Sequence, residues 1–123
     1  MLSAIIDCHE SERALVRTLA ALVPGATAGL LTEVIVADAG SSDDTAEIAD
    51  IAGCRYLRSS ETEGARLKAA AETTRTPWLM FLRAGTVPEP GWIAAVDRFM
   101  QTSDLAEGPG RAAVFRPAGV ADP

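Results

Sequence analysis

Apolar runs alternate along the chain with segments in which apolar residues recur at helical spacing. Four short runs are rich in apolar residues and lie at residues 2–6, 33–37, 54–57 and 78–82. Such runs are typical of strands covered on both faces of a parallel sheet. The segments that follow them have helical spacing or, at residues 65–74, high helix propensity. The pattern predicts the order β-α-β-α-β-α-β-α and an α/β fold with a mainly parallel sheet.

Prolines, glycines and capping residues indicate where the helices begin and end. The first helix is expected to end at Pro24-Gly25. The second is expected to be capped by Ser42 or Asp43 and to end at Gly53. The residues that helical spacing turns inward are Leu15, Val16, Leu19, Leu22 and Val23 in the first helix, Ile48, Ile51 and Ala52 in the second, and Trp92, Ile93, Val96, Phe99 and Met100 in one that begins near Pro90.

Polar segments follow the first, second and fourth predicted strands. They are Asp7–Ser11, Asp38–Ser42 and Arg83–Thr86, named here loop 1, loop 2 and loop 3. In open parallel sheets, ligands bind outside the carboxyl ends of the strands. The sequence therefore predicts a ligand site where these three loops converge.

The character of the chain changes after residue 101, where Gly, Pro and Ala become frequent. We expect one domain over residues 1–101. A tail is expected over residues 102–123, in which residues 112–115 are a candidate edge strand.

Composition supports an ordinary globular core and excludes several classes of protein. The chain has 123 residues, of which 48% are hydrophobic and 23% charged. The net charge is −6, and residues 1–50 hold nine of the acids but only two of the bases. No basic face of the kind that binds nucleic acid is evident, and no apolar run approaches the ~20 residues of a membrane span. The two cysteines form no spaced set and no signal peptide is evident, so we expect a reduced, cytoplasmic protein.

The three loops and their strands resemble the family 2 glycosyltransferases. Ser3–Glu10 stands where that family has its first strand and a Pro-Thr-Tyr-Asn-Glu-like turn. Val34–Thr45 is similar to its second strand and the Asp-Gly-Ser-Ser-Asp segment, and Phe81–Trp92 to its fourth strand with a following Pro and Gly-Trp. The resemblance covers residues 1–100. It implies a three-layer, Rossmann-like GT-A fold, truncated because most of the acceptor-binding half is not expected in these 123 residues.

The resemblance also implies a function. A glycosyltransferase of this family binds a nucleotide-diphosphate sugar, here UDP-, GDP- or TDP-linked, and transfers the sugar to an acceptor hydroxyl while a carboxylate takes the proton. The family's catalytic base lies well downstream, so no residue of this chain is assigned to that role. The nucleotide-binding positions that the resemblance implies are Asp7, His9, Glu10, Asp38, Arg66, Lys68 and Arg83.

The family's metal-binding motif is missing. In the family, an Asp-X-Asp after the fourth strand holds Mn²⁺ or Mg²⁺, but here the segment reads Arg83-Ala84-Gly85. Neither end supplies the carboxylate oxygens that a hard cation needs, so no metal or other cofactor is assigned. Cys8, His9 and Cys54 do not make a zinc site either, because a fourth ligand is missing.

Several alternatives stay open at this stage. Arg83 could pair bidentately with a diphosphate in place of the metal, could pair with Asp7, or could point into solvent. His9 could be structural, and Arg66 and Lys68 could belong to a solvated helix face. The chain could also be a non-catalytic GT-A module that acts in binding or in homodimerisation, because an uncovered strand at 78–82 near a sheet edge would invite a second copy.

Two other α/β classes fit the sequence less well. Receiver domains place an acceptor Asp after the third strand and a Lys after the fifth, but Asp38 follows the second strand here and Lys68 lies inside a helix. Dinucleotide-binding domains have Gly-x-Gly-x-x-Gly after a strand, which this sequence does not.

Overall fold

The computed structural model describes residues 1–107 and 111–114. They form a five-stranded sheet whose neighbouring strands are all parallel, in the order β3-β2-β1-β4-β5. This confirms the predicted α/β class. The elements are β1 Leu2–Cys8, α1 Glu12–Thr27, β2 Leu31–Asp38, α2 Thr45–Ile51, β3 Arg55–Arg58, α3 Glu63–Glu72, β4 Trp78–Arg83, α4 Trp92–Glu107 and β5 Arg111–Val114.

The sheet is the middle of three layers because both of its faces are covered. On β1, Ala4 and Ile6 belong to a large apolar cluster with side chains of α1 and α4, whereas Ile5 faces Ala70 of α3. All three of these β1 side chains have no solvent exposure. The apolar run at residues 2–6 is therefore explained by burial of the strand on both faces, as predicted. Within the described residues, no helix is both long enough and apolar enough to cross a membrane.

Helix α1 continues past the end predicted for it. The prediction of an end at Pro24-Gly25 is wrong, because Pro24 lies inside a helix that runs to Thr27. Proline removes a backbone donor and disturbs the turn before it. Trp92 of α4 meets this turn, since its Nε1 donates a hydrogen bond to the carbonyl oxygen of Ala21 at 3.2 Å. A tertiary contact therefore supports the turn that the local sequence disfavours.

Several residues predicted to face inward do not. Val16 and Val23 are 49% and 58% exposed, and Ile51 is 78% exposed. Ala52 is exposed as well. Three helices, α1, α2 and α4, share one face of the sheet, so each buries only a narrow stripe. Phe99 is half-exposed too, although its ring packs edge-on against Trp78 with centroids 5.7 Å apart.

The chain beyond residue 101 adds to the sheet. Helix α4 continues to Glu107, and β5 pairs in parallel with β4, Trp78 opposite Arg111. The expectation that residues 78–82 form an uncovered strand is therefore wrong. The predicted edge strand at 112–115 overlaps β5, and Phe115 lies outside the described residues.

Candidate functional site at the carboxyl edge of the sheet

The order of the strands reverses beside β1. From β1 the chain proceeds outward through β2 and β3, then returns to the other side of β1 with β4. Such a reversal is the topological switch point where open α/β sheets bind ligands, outside the carboxyl ends of the strands. Asp7 of β1 and Arg83 of β4 lie opposite each other at this end. All three loops thus start at the predicted edge.

Backbone hydrogen bonds from the end of β1 hold the other two loops. The Ala39 amide of loop 2 donates to the Cys8 carbonyl at 2.9 Å, and the Ala84 amide of loop 3 donates to the Asp7 carbonyl at 3.0 Å. The last residues of β1 therefore set the positions of both neighbouring loops.

Side chains tie loop 1 to loop 2. Glu10 Oε1 accepts hydrogen bonds from the Ser42 amide at 2.6 Å and from the Ser42 hydroxyl at 3.0 Å. In return, the Glu10 amide donates to Ser41 Oγ at 2.7 Å. Glu10 is also the one non-glycine residue with positive φ, +50°, within the described residues. A non-glycine residue in this region is strained, and its bonds to loop 2 hold it there.

Asp43 joins the starts of two helices. Its Oδ1 accepts from the amide and hydroxyl of Thr45 at the start of α2, and its Oδ2 accepts from the Glu12 amide at the start of α1. These bonds lower the pKa of Asp43. Of the two predicted caps, Asp43 thus bonds the start of α2, although the residue before the helix is Asp44.

Asp38 is buried and fully bonded within the protein. Its Oδ1 accepts from the Gly40 amide at 3.2 Å, the Ser41 amide at 3.1 Å and the Ser41 hydroxyl at 2.6 Å, and its Oδ2 accepts from the Tyr56 hydroxyl. Burial opposes its charge, but these hydrogen bonds outweigh burial and lower the pKa of Asp38. Burial and the bond to Asp38 raise the pKa of Tyr56 to about 12. The carboxylate therefore organises loop 2 from within.

Two ion pairs occupy the α3 side of the site. Arg66 Nε donates to Asp7 Oδ1 at 2.9 Å, and Arg66 Nη1 donates to the Glu61 carbonyl at 3.0 Å. Arg83 Nη2 reaches both carboxylate oxygens of Glu63, at 3.3 and 3.4 Å. The proposed Asp7–Arg83 pair is therefore wrong, although the two residues lie opposite each other. Arg66, which enters from α3, already pairs with Asp7.

The exposures of these pairs differ. The side chains of Arg66 and Asp7 are 8% and 15% exposed, whereas those of Arg83 and Glu63 are 77% and 44% exposed. The first pair is a buried support for the end of β1. The second is a surface pair that faces solvent beside the switch point.

The remaining predicted residues lie at the surface. His9 and Glu10 are exposed on loop 1. Lys68 is exposed on α3, but two residues beyond Arg66, and residues at that spacing do not share a helix face. Arg66 therefore contacts the carboxylate of Asp7, and Lys68 lies on a different face of α3.

Loop 3 does not fit a divalent cation. Gly85 has φ +102°, and its amide donates to Thr18 Oγ1 of α1 at 2.9 Å. The two side-chain positions of the motif are a guanidinium and a hydrogen atom, and neither is a ligand for Mn²⁺ or Mg²⁺. Among the residues that the structure describes, no group of three or more His, Cys, Asp and Glu could hold a metal ion. Burial, followed by the charges of Asp38 and Asp7, raises the pKa of the Cys8 thiol to about 12.

Arg58 is a site residue that the sequence analysis missed. It is the last residue of β3, lies opposite Asp38, and is exposed. A Cβ added at Gly40 would lie 3.7 Å from Arg58 Nη2, so the guanidinium lies over loop 2. The predicted strand ended at residue 57, so Arg58 directly follows it. Its place at the carboxyl end of a predicted strand could have identified it from the sequence.

Comparison with known proteins decides the family. A family model described as "Glycosyl transferase family 2" matches residues 3–116. The chain belongs to glycosyl transferase family 2. No curated protein matches the chain closely enough to be reported as a relative.

Solved structures share the GT-A fold of this glycosyltransferase family domain. Glucosyl-3-phosphoglycerate synthase from Mycobacterium tuberculosis, in complex with Mn²⁺, UDP and phosphoglyceric acid, is 21% identical with a TM-score of 0.67, over 88% of this chain and 39% of that one. Mannosyl-3-phosphoglycerate synthase from Rubrobacter xylanophilus is 20% identical with a TM-score of 0.65, over 74% and 33%. A structure described as a mycobacterial protein is 22% identical with a TM-score of 0.71, over 83% and 37%. The family 2 chain thus spans well under half the length of each, and the predicted GT-A fold is confirmed.

Proposed function

We propose that this chain is the donor half of a glycosyltransferase and binds the nucleoside diphosphate of a nucleotide sugar at the carboxyl edge of its sheet. One observation carries the proposal: the three loops that the family uses are built as one unit at the switch point. Loop 1 is hydrogen-bonded to loop 2 through Glu10 and Ser42. Loops 2 and 3 are each hydrogen-bonded to a backbone carbonyl at the end of β1. A site of this kind is where α/β sheets bind nucleotides.

The residues divide into supports and contacts. Asp38 and the Asp7–Arg66 pair are supports, because they are buried or nearly so and make hydrogen bonds inside the protein. His9 and Glu10 at the rim of loop 1, with Arg58 beside loop 2, are exposed and adjoin the space above the strand ends. We assign the base and ribose to this side of the site, and the diphosphate to the β4 side. Lys68 has the weakest support, since it lies on another face of α3 from Arg66.

The chain contributes donor binding to the transfer reaction. Transfer also needs an acceptor site and a carboxylate that takes the proton from the acceptor hydroxyl, neither of which is assigned here. The sugar, the base of the nucleotide and the acceptor are therefore left open. Cytoplasmic location stays a prediction from the sequence; Cys8 and Cys54 are both free thiols.

Isothermal titration calorimetry with UDP, GDP and TDP, each with Mn²⁺ and with EDTA, tests the proposal. We expect at least one of these nucleotides to bind, and to bind in EDTA as well as in Mn²⁺. Failure of all three to bind in either buffer would contradict donor binding. Binding that requires Mn²⁺ would keep the donor site and overturn the conclusion that loop 3 cannot hold the metal.

A non-catalytic module is the second candidate, and two observations favour it. The metal motif is replaced by Arg83 and Gly85, and the carboxylate of Asp38 is saturated by internal donors. On this alternative the chain would act as a binding or homodimerisation module. Sedimentation equilibrium would then give a dimer, and the titrations above would show no nucleotide binding.

A further inference from the structure

We infer that Arg83 takes the role of a metal ion at the diphosphate, and that Glu63 competes with the diphosphate for the Arg83 guanidinium. This inference rests on the proposed donor site and names how that site would recognise its ligand's charge. The ligand class is a nucleoside diphosphate or its sugar ester, bound without a divalent cation.

The first support is position. Arg83 is the last residue of β4 and lies opposite Asp7 of β1, so it stands at the carboxyl end of the two strands that flank the switch point. Among the arginines of the described site, Arg58 lies at the other side, on β3, and Arg66 is buried under Asp7. Among these arginines, Arg83 is therefore the exposed cation at the carboxyl ends of β1 and β4.

The second support is availability. The side chain of Arg83 is 77% exposed, against 8% for Arg66, whose Nε and Nη1 are bonded to Asp7 and to the Glu61 carbonyl. A guanidinium carries five donors in a planar fork that matches phosphate oxygens. In the structure, the bonds of Arg83 to Glu63 use Nη2 alone. Within the described residues, the rest of the fork has no partner and can face a phosphate.

The third support is the nature of the Arg83–Glu63 pair. Its distances of 3.3 and 3.4 Å are longer than the 2.9 Å of the Arg66–Asp7 pair. Exposed ion pairs of this kind contribute little stability, so a diphosphate with more charge can displace the carboxylate. Glu63 is the first residue of α3, where the helix dipole favours a negative charge even without Arg83.

The fourth support is that neighbouring acids are already paired with a base or hydrogen-bonded within the protein. Asp7, the nearest carboxylate on β1, is paired with Arg66 at 2.9 Å. Asp38 and Glu10 accept hydrogen bonds from backbone amides of loop 2. An anion at the end of β4 is therefore not opposed by an uncompensated charge on β1, and no acid of loop 3 is available for a metal.

The test compares variants of the full chain by calorimetry in EDTA. The probes are the nucleoside diphosphate that binds in the nucleotide panel, the nucleoside of the same base, and inorganic pyrophosphate. We expect Arg83→Gln to weaken the diphosphate by about tenfold or more, the loss of one charge-assisted contact, and to leave the nucleoside unchanged. Arg83→Lys should restore only part of the affinity, because a lysine lacks the fork.

Two further variants sharpen the result. Glu63→Gln removes the competitor and should tighten diphosphate and pyrophosphate binding several-fold, with no effect on the nucleoside. Arg75→Gln is the matched control: it removes the same charge from an exposed arginine at the opposite end of β4, and should bind as the unmodified chain does.

The outcomes separate the two claims. Nucleotide binding that is unchanged by Arg83→Gln and Glu63→Gln would overturn the role of Arg83 and leave the donor site standing, as would affinity that rises with added Mn²⁺. If neither nucleotides nor nucleosides bind at all, the donor site itself is wrong and the inference falls with it. Circular dichroism of each variant identifies any loss of affinity that is due to unfolding.

Discussion

At the scale of single residues, the site combines carboxylates that are bonded inside the protein with arginines that are exposed at its edge. Asp38 has no solvent exposure and accepts from two backbone amides and two hydroxyls. Buried acceptors of this kind are costly to alter because their donors lose their partners together. The same carboxylate that the resemblance assigns to the nucleotide thus stabilises loop 2 in the structure.

We expect Asp38→Asn to lower the free energy of unfolding by about 1–3 kcal/mol, because a charged acceptor of several donors becomes a neutral amide. Urea unfolding at pH 7 measures the change. Asp44→Asn, which alters an exposed acid just before α2, is the control and should change stability by less than about 0.5 kcal/mol. Equal effects of the two substitutions would contradict the role given to Asp38.

The same variant has a signature in pH. The pKa of Asp38 in the folded chain lies below its usual value of 3.8, so its stabilisation is fully present above that value. It is lost as pH falls through the lowered pKa, where protonation removes the charged acceptor. Glu33 and Asp43, whose pKa values are also lowered, act in the same direction. Asp38→Asn should therefore show a shallower loss of stability on acidification than the unmodified chain.

At the scale of elements, the contact between α1 and α4 is the clearest departure from local sequence rules. Trp92 is 5% exposed, donates to the Ala21 carbonyl and lies directly over Gly25. Gly25, which was predicted to end the helix, instead leaves room for the indole of Trp92 because it has no side chain. Helical spacing located α1 correctly, but it could not reveal that Trp92, far along the chain, would support the turn around Pro24.

Gly25→Ala tests this packing. A Cβ there would lie 2.4 and 2.7 Å from Trp92 Cη2 and Cζ2, so the ring would have to shift and we expect a loss of about 1–3 kcal/mol from overpacking. Gly64→Ala in α3 is the control, because nothing lies within 4 Å of its added Cβ and alanine favours a helix by about 0.5–1 kcal/mol. Thermal unfolding should therefore move in opposite directions for the two variants.

The elements also mark the limit of periodicity. Strand β1 was predictable because burial on both faces makes it apolar through residues 4–6, as Ile5 and Ile6 show by facing opposite layers. The prediction that Val16, Val23 and Ile51 face inward was wrong. Periodicity identifies the apolar residues of a helix, but it does not show how wide a stripe of the helix the sheet covers.

At the scale of the whole molecule, the strand order brings the loops together. Their convergence was predictable, since parallel strands end at one edge. The ion pairs were not, because Arg66 and Glu63 both arrive from α3, and the strand ends alone suggested Asp7 as the partner of Arg83. The strand order shows which strand ends are neighbours, whereas the direction from which a helix side chain enters depends on the packing of the layers.

The central claim is that a nucleoside diphosphate binds where loops 1, 2 and 3 meet. Two-dimensional ¹H–¹⁵N NMR of the labelled chain, titrated in EDTA with the nucleotides UDP, GDP and TDP in turn, tests it most directly. The account predicts that at least one nucleotide shifts the amides of Ser42 and Ala84 in a saturable way, while those of Gly29 and Arg75 at the opposite edge stay in place. Shifts confined to that opposite edge, or none with any nucleotide, would contradict it.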